Sequence, residues 1–89
     1  VIGAMCIAPV IVAKALGRHG ITVTIGNDKT VAGKIEQTGA KHQNTKVSDA
    51  CVDEENRIVT TPAYMLATSV KEVFAGAEAM VKEMLRLAQ

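Results

Sequence analysis

The chain has 89 residues, with ten lysines and arginines against nine aspartates and glutamates, for a formal net charge of +1. That is room for one domain at most, and the near-neutral balance excludes the basic patch that a nucleic-acid binder needs. Only two aromatics, Tyr64 and Phe74, are present, which excludes a base-stacking platform.

The chain is 48% hydrophobic with a mean hydropathy of +0.20. A domain this small has too much surface to hide so much apolar material. The excess points to a partner surface, or to a chain that is part of a larger fold. No apolar run reaches the roughly 18–20 residues that span a bilayer, and no basic n-region marks a signal peptide. A start at Val1 points to processing or to sequence upstream. Two cysteines, Cys6 and Cys51, make no disulfide framework and fit a reducing compartment. Neither a CxxC nor an HExxH occurs, so no metal or cofactor is expected.

The opening stretch, VIGAMCIAPVIVAKAL, carries the strongest signal. An apolar run from Val1 to Met5 ends at Cys6, and Pro9 opens a second run, Val10 to Leu16, with helical character. Strand, sharp turn and helix are predicted, with a thiol at the turn. Proline suits the first helical turn, so the helix starts just after the thiol. Such a turn lifts its side chain out of the sheet and aims backbone N–H groups at a ligand. A helix N-terminus also favours thiolate over thiol. Cys6 is the candidate nucleophile, and the alternative is a buried thiol packed as a small hydrophobe. Gly3 and Ala4 leave room for close backbone approach.

Gly17-Arg18-His19-Gly20 reads as a turn, with Gly17 as the glycine after the helix and His19 solvated near its carbonyl end. Ile21 to Ile25 is β-branched throughout and predicts a buried strand. Asn27 or Asp28 caps a helix over Lys29 to Thr38, with Val31, Ala32 and Ile35 on one face. Ala40 to Val47 is polar and irregular, with room for a short edge strand, and His42 is expected to be solvated there. Ala50 to Val52 and Arg57 to Thr61 read as two strands around Asp53-Glu54-Glu55-Asn56, a solvated hairpin turn. Cys51 reads as core filler. Thr61 and Pro62 are expected to cap and open the last helix. Leu66, Val70, Val73, Phe74, Ala77, Met80, Val81, Met84 and Leu85 recur on it at three- and four-residue steps as its core stripe. Gly76 marks close packing or a bend. The order β-α-β-α-β-β-α implies an α/β layered fold.

The segments MCIAP, TVTIGND, TGAKH and VDEENRIVTTPAYM, with the closing amphipathic helix, resemble the enhancing-lycopene-biosynthesis proteins. These are isoprenoid-biosynthesis proteins with an amidotransferase-like domain, within the PfpI and class I glutamine amidotransferase-like superfamily. The resemblance covers essentially all 89 residues in order. It implies an α/β fold, a flavodoxin-like three-layer sandwich, of which residues 1–89 are the C-terminal portion. Val1 to Met5 and Ile21 to Ile25 would then be central strands with missing neighbours.

The resemblance places Cys6 at a nucleophile elbow, with the N–H of Ile7 toward an oxyanion. Where several superfamily members carry histidine after the cysteine, this chain has Ile7. The acidic partner would come from the absent N-terminal half, so no base for Cys6 is identified here. The implied activity is cysteine-dependent and cofactor-independent: a glyoxalase-type conversion of glyoxal or methylglyoxal, a small carbonyl substrate, to a hydroxy acid. The alternatives are a non-catalytic regulatory or redox-sensing protein and a structural subunit of a larger assembly. The expected partners are the missing N-terminal half, or a partner chain covering the sheet, and a homo-oligomer; nucleic acid and membrane are not expected. The spacing from Gly26 to His42 is compact, as in the bacterial members resembled and unlike the longer animal mitochondrial ones, so the resemblance implies the cytoplasm, with mitochondrion or plastid as the alternative.

Overall fold

A computed structural model describes all 89 residues, Val1–Gln89. Strand β1 (Ile2–Met5) leads into helix α1 (Ala8–Leu16), and β2 (Thr22–Val23) into α2 (Lys29–Gln37). Three strands follow, β3 (Lys41–His42), β4 (Cys51–Asp53) and β5 (Ile58–Thr61), and then the long helix α3 (Val70–Ala88). Single 3-10 turns lie at Gly17–His19 and Ala63–Met65.

β5 is the middle strand of a three-stranded sheet, parallel to β1 and antiparallel to β4. The register sets Ile2 against Ile58 and Met5 against Thr61. β2 and β3 form a second, parallel pair. Side chains tie the two together. Asp53 Oδ2 accepts the Thr22 N–H at 2.8 Å, and Thr60 Oγ1 accepts the Thr24 N–H at 2.9 Å.

One face carries α1 and α2. Ala13, Ile35 and Ala40 close there on Ile21, Val23, Ile25 and Ile58, all buried. The other face carries α3, with Met84 seated directly over Gly3. At Gly76 the helix comes closer still: a Cβ would lie 2.9 Å from Thr61 Oγ1 and nearer yet to the Val47 carbonyl. The result is the three-layer α/β/α arrangement expected from the resemblance.

The local signals hold at several points. Pro9 lies in the first turn of α1. Asp28 caps α2, its Oδ1 accepting from Thr30 N at 2.9 Å and Val31 N at 3.1 Å. Ile21, Val23 and Ile25 are buried, although only Thr22 and Val23 are laddered. Cys51 is buried, as a core filler should be.

Three expectations are corrected. Gly17 is right-handed, and the left-handed cap is Gly20 at φ +69°, whose N–H bonds the Gly17 carbonyl at 2.9 Å. Gly17 is a glycine because the Thr38 carbonyl sits where its side chain would be. The last helix does not start at Thr61. That residue ends β5, buried, and its Oγ1 donates to the Asp49 carbonyl at 2.8 Å. α3 begins nine residues later behind Ser69, whose Oγ accepts from Glu72 N while Glu72 Oε1 accepts from Thr68 N.

The apolar stripe of α3 is also split. Val73, Gly76, Met80, Met84 and Leu87 turn toward the sheet, but Val70, Phe74, Val81 and Leu85 remain exposed. β1 is an edge strand within this chain, which fits the expected missing neighbour.

Candidate active site

Cys6 lies between β1 and α1 with φ +63°. A side chain in the left-handed region costs roughly 1–2 kcal/mol, and cysteine has no special tolerance for it. The turn is fixed from both sides. The Cys6 N–H donates to the Thr61 carbonyl at 3.0 Å, which extends the β1–β5 ladder past its last paired residue. Ile7 then takes right-handed values, φ −93° and ψ −13°, as the N-terminal cap of α1. This strand–turn–helix geometry is that of a nucleophile elbow.

The start of α1 is left open. No side chain caps it and no acidic residue lies in its first turn. Pro9 has no N–H to offer, and the first backbone bond is Val10 N to the Ile7 carbonyl at 3.0 Å. The N–H groups of Ile7 and Ala8 therefore stand ahead of the helical ladder. They are free to meet negative charge, which the helix dipole also favours. Cys6 is partly accessible, while Cys51 is buried, and burial pushes the Cys51 thiol up. The side chain of Ile7 is half exposed and lends the turn an apolar rim.

The other polar candidates are occupied elsewhere. His42 is not solvated as expected: its Nε2 accepts the Ile25 N–H at 3.2 Å. Burial lowers its pKa, against an opposing pull from Glu36. His19 follows the far end of α1, about 14 Å from its start at 1.5 Å per residue. Asp53 is not a solvated turn residue either. It is 8% exposed and accepts the N–H groups of Thr22 and Asn56 and the Asn56 side-chain amide. Burial alone would raise its carboxyl, but these donors and Lys41 outweigh it and hold the group below its ordinary value. Glu54 and Glu55 are exposed in the hairpin turn.

No three His, Cys, Asp or Glu side chains come together as a metal site would require. Two surface grooves exist, and Cys6 lines neither. One, of about 800 Å³, lies between α3 and β4 and is lined by Asn27, Lys46, Asp49, Val52, Lys82 and Glu83, among others. The other, of about 320 Å³, lies along Phe74, Ala77 and Val81 of α3. No helix is long and apolar enough to cross a membrane.

No protein-family model matches the chain. Curated relatives do. The chain is 40% identical to the rat protein named ES1 protein homolog, mitochondrial, over 95 aligned positions. It is 41% identical to the human glutamine amidotransferase-like class 1 domain-containing protein 3, mitochondrial. Both matches take in 97% of this chain and 35% of the relative, so the chain spans about a third of the length of the curated relatives it matches. Among solved structures, the isoprenoid biosynthesis protein with amidotransferase-like domain from Ehrlichia chaffeensis superposes with a TM-score of 0.90 at 32% identity. That match covers 98% of this chain and 40% of the other. With the three-layer fold, these matches show that the chain corresponds to a C-terminal part of the isoprenoid-biosynthesis and ES1-type proteins with a class I glutamine amidotransferase-like domain.

Proposed function

We propose that the chain carries the nucleophile turn of a cysteine-dependent, cofactor-independent enzyme acting on a small carbonyl compound. Cys6 is the nucleophile and the Ile7 N–H is the oxyanion donor. One observation carries this reading: a non-glycine residue, a cysteine, is held at φ +63° where a strand hands over to an uncapped helix. Strain of that kind persists where the surroundings enforce it, and it clusters at functional turns.

With glyoxal or methylglyoxal the steps follow from these parts. The Cys6 thiolate attacks the aldehyde carbon, and the carbonyl oxygen takes the electron pair beside the Ile7 N–H. Protonation of that oxygen gives a hemithioacetal. A base then moves the hydrogen from the attacked carbon to its carbonyl neighbour through an enediol, leaving a thioester of the hydroxy acid. Water hydrolyses the thioester and returns the thiol, so no external oxidant or reductant is needed. Neither His19 nor His42 is placed for the proton transfer, and Asp28 and Asp53 are held by backbone N–H groups. The resemblance implies that the base comes from the N-terminal part of the longer protein, outside these 89 residues.

A second reading, a redox-sensing protein in which Cys6 is oxidised to a sulfenic acid, is favoured by the partial exposure of its thiol beside a turn that lacks a base. The names of the rat and human relatives place those proteins in mitochondria, which favours a mitochondrial setting over the cytoplasm. Methylglyoxal turnover by the completed domain, with and without Cys6→Ala, separates the two readings. Loss of turnover by at least a hundredfold is expected for the enzyme. Unchanged turnover removes the catalytic reading.

A further inference from the structure

A second non-glycine residue is strained at the same end of the sheet as Cys6. Ala63 takes φ +49°, again a left-handed value. The two residues follow neighbouring parallel strands. Met5 and Thr61 are the last register pair of β1 and β5, and the Cys6 N–H bonds the Thr61 carbonyl just beyond it. Adjacent strands lie about 4.8 Å apart, so the Cys6 turn and the turn opened by Pro62 start side by side. The carboxyl ends of parallel strands are where open α/β sheets receive ligands.

Tyr64 is the side chain that the second turn leaves uncommitted. Ala63 is buried, and Met65 packs against the hydrophobic core. Pro62 and Leu66 face Gly26, where an added Cβ would lie 3.4 and 3.5 Å from their Cβ atoms. Gly26 follows β2, and the β2 segment bonds Asp53 of β4 and Thr60 of β5, so it lies across β5 from β1. In a 3-10 turn successive side chains step by about 120°. With Leu66 turned to Gly26 and Met65 to the core, Tyr64 takes the third direction, on the β1 flank where Cys6 stands. Its side chain is 60% exposed.

The surroundings are apolar. Ile7 directly follows Cys6 and is half exposed. Neither turn, Cys6 to Ala8 or Pro62 to Leu66, contains a charged residue. A ligand group received there is matched by packing rather than by charge.

We infer that Tyr64 is a specificity-determining residue of the Cys6 site: its ring, opposite Ile7, selects carbonyl compounds that carry an apolar substituent beside the attacked carbon. The inference rests on the catalytic reading above. It narrows the substrate class from small carbonyl compounds to 2-oxoaldehydes with an alkyl or aryl group. Glyoxal presents only hydrogen at that position and gains nothing from the ring. The ring acts by packing, so phenylalanine serves as well as tyrosine. Apolar pockets discriminate a single methylene by about 10–200-fold, which sets the scale.

The test reads ratios in Tyr64→Ala and Tyr64→Phe. In the completed domain, Tyr64→Ala should lower the ratio of kcat/KM for phenylglyoxal over glyoxal at least tenfold, and Tyr64→Phe should keep it. An unchanged ratio in Tyr64→Ala overturns the inference, and so does a fall in Tyr64→Phe as large as in Tyr64→Ala. Alkylation of Cys6 in the 89-residue chain tests the ring without turnover. N-phenyl iodoacetamide should react faster relative to iodoacetamide at Cys6 than at the thiol of a free cysteine peptide, at least fivefold. Tyr64→Ala should abolish that preference and Tyr64→Phe should retain it. A wild-type preference no greater than the peptide's overturns the inference and needs no variant to fold. If neither aldehyde is turned over, the catalytic reading fails, and the alkylation ratio still decides whether the ring stands over Cys6.

Discussion

The Nε2 atom of His42 accepts the backbone N–H of Ile25 at 3.2 Å. A backbone amide can only donate, so this bond requires the neutral ring. Burial lowers the pKa of His42, and Glu36 on α2 opposes the shift. Protonation is thus harder in the folded chain than in the unfolded one. The bond is intact above the ordinary histidine range near 6.5 and is lost as pH falls through the lowered folded value. Acid should therefore loosen the junction between β2 and β3. We expect amide protection at Ile25, relative to the unfolded chain, to fall as pH drops below the ordinary histidine range, and a flatter pH profile of the urea midpoint in His42→Gln.

Cys6 should be more stable as glycine than as alanine. Alanine keeps the left-handed penalty, and glycine removes it. Urea unfolding is expected to place Cys6→Gly about 1 kcal/mol above Cys6→Ala. Equal stabilities would mean the turn relaxes and holds no strain.

The two thiols should separate chemically. Iodoacetamide is expected to add one label per native chain, at Cys6, and a second only on unfolding, because Cys51 is fully buried and its thiol is pushed up. Intact mass after timed quenching reads this directly.

Gly76→Ala should destabilise although alanine is the better helix former by up to about 1 kcal/mol. The added Cβ meets the Val47 carbonyl and Thr61 Oγ1, and neither belongs to a flexible side-chain end. A net loss of about 1–3 kcal/mol in urea unfolding is expected for such overpacking.

Asp53→Ala should cost about 1–3 kcal/mol, because the Thr22 N–H and the Asn56 groups lose their acceptor. The carboxyl is held below its ordinary value, so its contribution is present above the unfolded carboxylate range and is lost as pH falls through the folded value. The acid arm of the wild-type stability curve should be shallower in the variant.

How far the residues alone announce this structure depends on the length of interaction that fixes each feature. The Cys6 turn, the Asp28 cap and the buried Ile21–Ile25 run are local, and they read correctly from neighbours a few positions away. The role of His42 was hidden because its partner, the Ile25 backbone N–H just past β2, lies 17 positions away. Asp53 looked like a turn residue because its acceptor role toward Thr22 exists only once β2 lies beside β4. The start of α3 had a readable signal, Ser69 three places before Glu72, which the Thr61–Pro62 pair outweighed. The two apolar flanks of α3 could not be told apart by periodicity, since both follow helical spacing and only packing against β1 and β5 selects one.

The parallel register of β1 with β5 also governs the order of assembly. Ile2 must find Ile58 across more than half the chain before the Cys6 N–H has the Thr61 carbonyl to bond. Pairings that distant close slowly, because the intervening loop entropy is lost first. The elbow is therefore a late product of folding although it is encoded near the start. In a refolding time course, the change in Cys6 reactivity should arrive with the β1–β5 ladder and lag behind the helix signal of α1.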